Sequence, residues 1–63
     1  MKTGMMDVHT RNGSVVRVDI NASGSGLTIF SPSKDRVISL ELWDKELEEL
    51  AHVIHLATEM RGL

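Results

Sequence analysis

Met5-Met6-Asp7-Val8-His9-Thr10-Arg11-Asn12-Gly13-Ser14-Val15-Val16-Arg17-Val18-Asp19-Ile20-Asn21 reads as two strands folded about a tight turn. Asn12 and Gly13 both tolerate positive φ, and that dipeptide between alternating apolar segments is the strongest short-range hairpin signal. Two registers compete. A two-residue loop sets Val8 against Arg17 and Met6 against Asp19, so apolar side chains meet charged ones. A three-residue loop, Arg11-Asn12-Gly13, with Gly13 left-handed as a bulge, sets Val8 against Val16 and Met6 against Val18. Only the second gives a continuous apolar face. It is the expected register.

Beyond this hairpin the two-residue period continues. Val16, Val18 and Ile20 alternate with Arg17, Asp19 and Asn21, the signature of a strand buried on one face. Residues 21–26, Asn-Ala-Ser-Gly-Ser-Gly, read as a flexible connection, and Leu27-Thr28-Ile29-Phe30 as a third strand with Leu27 and Ile29 inward. Phe30 then joins Val15 and Val37 on the opposite face. After the turn Ser31-Pro32-Ser33-Lys34-Asp35, residues 36–42 alternate again, with Ile38, Leu40 and Leu42 on one side. Four short strands in series predict an antiparallel meander.

From Trp43 the period lengthens. Leu47, Leu50, Ala51, Ile54 and Ala57 recur every three or four residues, acidic residues crowd the first turns, Asp44 suits an N-cap and Gly62 suits the position after the C-cap. The expectation is a helix over 44–61. At about 100° per residue that apolar stripe lies within roughly 60–80° of Trp43, while Val53, Leu56 and Met60 form a flank at roughly 220–280°. Apolar residues thus span over half the circumference, where docking on one surface needs little more than about 100°. The predicted fold is α+β, β-β-β-β-α, with the amphipathic C-terminal helix packed on one face of the meander and residues 1–63 forming one small domain.

A chain of 63 residues can bury only about 60% of the surface its unfolded form exposes. Cysteine is absent, so neither disulfides nor thiolate-bound zinc can staple the fold. Stability must come from packing or association. The start, with one lysine and no apolar run of seven, does not read as a secretory signal, and no segment reads as a membrane span. The expected compartment is the cytoplasm. A net charge of −2 and a pI near 5.8 lack the broad basic surface of a nucleic-acid binder.

Charge is nonetheless divided. Residues 1–40 carry five basic and three acidic side chains, and residues 41–63 carry two basic and six acidic. Glu48, His52, His55 and Glu59 stand at i, i+4, i+7 and i+11, one row along the helix. Two imidazoles with a carboxylate could bridge chains through a metal, or serve as a pH-dependent contact. As a simple solvated face, the row needs neither. Arg11, Arg17, Lys34 and Arg36 on the sheet are the candidates for phosphate contacts in a nucleic-acid-binding regulator. Phe30 and Trp43 are the only aromatic residues, too few for a base-stacking platform.

Gly24-Ser25-Gly26 lacks the spacing of a phosphate loop, and no serine sits in a nucleophile elbow. No enzyme, cofactor or resident metal is expected. Surplus apolar surface on a small acidic domain predicts a protein-interaction module that associates with itself or with a larger partner. The residues expected to bind are Val53, Leu56, Met60, Trp43, Glu48, His52, His55 and Glu59. Trp43 has two roles open to it, a lid over the core or an exposed anchor. Size and charge alone suggest a regulator or inhibitor of the phage or mobile-element kind, occupying a host nucleic-acid-processing complex as anti-CRISPR proteins do.

Overall fold

Alternation along four short segments followed by a helical period is realised directly. The computed structural model describes residues 2–63. Strands β1 (Gly4–His9), β2 (Val15–Asn21), β3 (Gly24–Phe30) and β4 (Arg36–Leu42) pair antiparallel in chain order, and α1 (Asp44–Met60) follows. No helix is long and apolar enough to cross a membrane among these residues.

The first hairpin adopts the three-residue loop. Val8 faces Val16 and Met6 faces Val18, and Gly13 takes φ 89° while its N–H donates to the Thr10 carbonyl at 3.0 Å. An L side chain rarely adopts that conformation. The second turn is tighter than expected. Asn21 pairs with Gly24, so the supposed flexible connection is a two-residue turn and β3 begins three residues before Leu27. The Asn21 side-chain oxygen holds this turn by accepting from the Ser23 N–H at 2.9 Å and the Ser23 hydroxyl at 2.7 Å. Polar turn chemistry displaced the disorder that the Ser/Gly composition suggested.

Register assigns the two faces. One carries Met6 and Val8 on β1, Val16, Val18 and Ile20 on β2, Leu27 and Ile29 on β3, and Ile38, Leu40 and Leu42 on β4. It is apolar throughout, apart from Ser25. The other carries Asp7, Arg17, Asp19, Thr28, Ser39 and Glu41, with Val15 and Phe30 among them. A bulge opposite Ile29 and Phe30 pairs Phe30 with Arg36 and leaves Val37 as the extra residue.

Trp43, extended at φ −75° and ψ 164°, is the N-cap rather than Asp44, which becomes the first helical residue. Its N–H donates to the Glu46 carboxylate at 2.8 Å, and its carbonyl accepts the first intrahelical bond, from Leu47, at 3.0 Å. Glu46 therefore supplies half of a capping box, and the indole supplies no acceptor. At the other end the N–H of Leu63 reaches the Thr58 carbonyl and that of Gly62 reaches the Glu59 carbonyl, both at 3.0 Å. Gly62 has φ 77°. Those paired bonds form a Schellman motif, the ending that the Gly62 position predicted.

Between Cα atoms the helix comes within 8 Å of β3 and β4 and of neither β1 nor β2. Leu47 and Leu50 are half-buried, whereas Ala51, Ile54 and Ala57 of the same stripe are exposed. On the sheet, Ser25 is buried and its cross-strand neighbours Ile20 and Leu42 are part-buried. Val16, Val18, Leu27 and Ile29 in the middle of that face are part-buried as well, while Met6 and Val8 on β1 and Ile38 and Leu40 on β4 are exposed. Trp43 alone separates β4 from α1. The expected stripe docks only through its first two turns.

Candidate interaction surface

Apolar side chains leave water only when something covers them, and here little does. Val15, at 6% exposure, is the one buried hydrophobic residue among those described. Met6, Val8, Ile38 and Leu40 on the apolar sheet face are exposed, as are Val53, Ile54, Leu56 and Met60 on the helix. A compact chain of 7.0 kDa exposes about 4,000 Å², whereas this one exposes 5296 Å². Its Cα radius of gyration, 12.8 Å, exceeds the roughly 10.6 Å typical of this length. These residues form a slab of 32 × 32 × 18 Å.

Trp43 ends the sheet and starts the helix, and its indole is 73% exposed. That overturns the lid reading. Val53, Leu56 and Met60, the flank proposed from the helical wheel, also face solvent, Met60 at 89%. Ile54, which sequence reasoning assigned to the docked stripe, joins them. So do Met6 and Val8, which the register places on the apolar sheet face. Their period gave no signal of exposure, because alternation marks a side as apolar without saying what lies on it.

The polar row on the helix is only partly connected. His55 Nε2 lies 2.7 Å from Glu59 Oε1, an exposed i, i+4 pair, and the Thr58 hydroxyl donates to the His55 carbonyl at 2.7 Å. Among the described residues no group of three His, Cys, Asp or Glu side chains is placed to hold a metal ion. One chain does not assemble a site from Glu48, His52, His55 and Glu59.

The four basic candidates also divide. Arg17 is bound by Asp7 through two bonds, Nε to Oδ1 at 2.9 Å and a terminal guanidinium nitrogen to Oδ2 at 3.1 Å. Its guanidinium carbon stands 5.1 Å from the centre of the Phe30 ring, within cation–π range. The hydrogen bond from Arg17, with its positive charge, holds the Asp7 carboxyl below its ordinary range and raises Arg17 in turn. This cation is already neutralised. Arg11, Lys34 and Arg36 lie at the opposite end of the sheet from Trp43, on or next to the first and third turns, which approach one another at Gly13 and Pro32. Arg36 is the cross-strand partner of Phe30, the ring over which Arg17 lies.

On the polar face, glycine opens a shallow depression of about 510 Å³ bordered by Asp19, Gly24, Gly26, Thr28, Ser39, Glu41 and Trp43. A Cβ on Gly26 would stand 3.0 Å from Asp19 Oδ2, and one on Gly24 would stand 3.2 Å from the Leu42 carbonyl. Asp19 and Glu41 lie in one cross-strand row on either side of Gly26. The Thr28 and Ser39 hydroxyls bond each other at 3.3 Å. Asp19 and Glu41 border the same depression as this hydroxyl pair. The turn at Asn21–Gly24 was the missed signal for it. Comparison with protein-family models, curated proteins and solved structures finds no match for this chain.

Proposed function

We propose that this chain is a non-enzymatic protein-interaction module of the cytoplasm that works through its uncovered apolar surfaces. One observation carries the reading: the sheet face around Met6, Val8, Ile38 and Leu40 and the helix around Val53, Ile54, Leu56 and Met60 are exposed together. Contiguous apolar surface beyond a few hundred Å² on a small protein marks a site of association. Trp43 at the junction has the composition of a binding anchor. Pairing of Arg17 with Asp7 weighs against phosphate binding by the sheet, since a bound carboxylate would have to be displaced first. The narrower expectation of a phage-type inhibitor rests on size and charge alone. The proposal therefore stops at a protein partner.

Leu56→Glu and Met60→Glu test it. Both side chains are exposed, so neither change disturbs packing within one chain, and any fall in the helical circular-dichroism signal should follow the loss of association. Association, measured as mass in solution, or binding of an apolar dye should fall. Wild-type mass and dye binding in both variants would contradict the reading.

A further inference from the structure

Resting on that interaction reading, we propose that the partner is a second copy of this chain, bound so that the distal helix of each protomer covers the β1–β2 half of the other's apolar face. The two bare surfaces complement each other. A sheet face lacks its helix where Met6 and Val8 lie, and a helix lacks its sheet where Ile54 and Ala57 lie. They belong to one chain, and within it neither covers the other, since all four residues are exposed.

Area supports the pairing. The excess over a compact chain is about 1,300 Å² per protomer, so about 2,600 Å² for a pair. That lies in the range of obligate homodimers, where the interface resembles a core cut in half. Shape agrees with area. Two slabs of 32 × 32 × 18 Å stacked through their broad faces double the thin axis and give a particle with three similar dimensions. Such a reciprocal contact is isologous and closes at two copies.

Cover selects this arrangement over the others. Helix against helix would leave Met6 and Val8 bare, and sheet against sheet would leave Ile54 and Ala57 bare. Helix against sheet covers both sets at once.

Absence of native cysteine makes the test clean. Val8→Cys and Ile54→Cys are prepared as separate single variants, mixed under reducing conditions, and oxidised. Expected is a covalent species of twice the chain mass joining Val8→Cys to Ile54→Cys, several-fold more abundant than either self-linked species, with native mass spectrometry of wild type giving the same doubled mass. A dimer linked chiefly Ile54→Cys to Ile54→Cys, or Val8→Cys to Val8→Cys, overturns the exchange. A wild-type monomer that binds an apolar dye overturns the self-partner while sparing the interaction reading. A wild-type monomer that binds none overturns both.

Discussion

Asp7 and Arg17 face each other across β1 and β2, and their two hydrogen bonds give a direct pH signature. Hydrogen bonding from Arg17 lowers the folded-state pKa of Asp7 from 3.8. A depressed carboxyl stabilises the fold above its unfolded value and loses that contribution as pH falls through the folded one. Asp7→Asn should therefore be slightly less stable than wild type at neutral pH, the gap closing below the unfolded value. Urea midpoints at several pH values measure it. The pair is solvent-exposed, so the effect is small. Gly13 belongs to the same scale. At φ 89° the Cβ of Gly13→Ala would have ordinary room beside Pro32, at 3.4 Å, so any loss is backbone strain, about 1–2 kcal/mol. Equilibrium unfolding of that variant checks the value.

At the scale of elements, register was legible and cover was not. Alternating Val16, Val18 and Ile20 against Met6 and Val8 left only one pairing without an apolar–charged clash, and the structure adopts it. Gly62 likewise announced the helix end, because a left-handed residue is what a Schellman motif requires. The turn at Ala22-Ser23 escaped notice, since Ser and Gly composition resembles a flexible linker until the Asn21 side chain is seen bonding Ser23. Asp44 looked like a cap because its carboxylate suits one, yet the cap is Trp43, served through its backbone by Glu46. Glu46→Ala removes that acceptor and a favourable first-turn charge. It should cost about 0.3–1 kcal/mol, read as a lowered thermal midpoint with the sheet register unchanged. The apolar flank of Val53, Leu56 and Met60 was legible from the wheel, while the exposure of Ile54 and Met6 was not, because a period marks which side is apolar without saying what covers it.

For the molecule as a whole, a single buried hydrophobic residue among those described is too small a core to offset the conformational entropy of ordering the chain. Folding and association are therefore expected to be coupled, with stability set by protomer concentration. Each tenfold rise in concentration should add about 1.4 kcal/mol and raise the thermal midpoint by roughly 4–8 °C. Ile54→Glu should flatten that dependence. Sedimentation equilibrium of the wild-type chain at micromolar concentration is the most direct measurement. A mass of twice 7.0 kDa that falls on dilution together with the circular-dichroism signal is the predicted result. A 7.0 kDa species that stays cooperatively folded at every concentration, and binds no apolar dye, would contradict it.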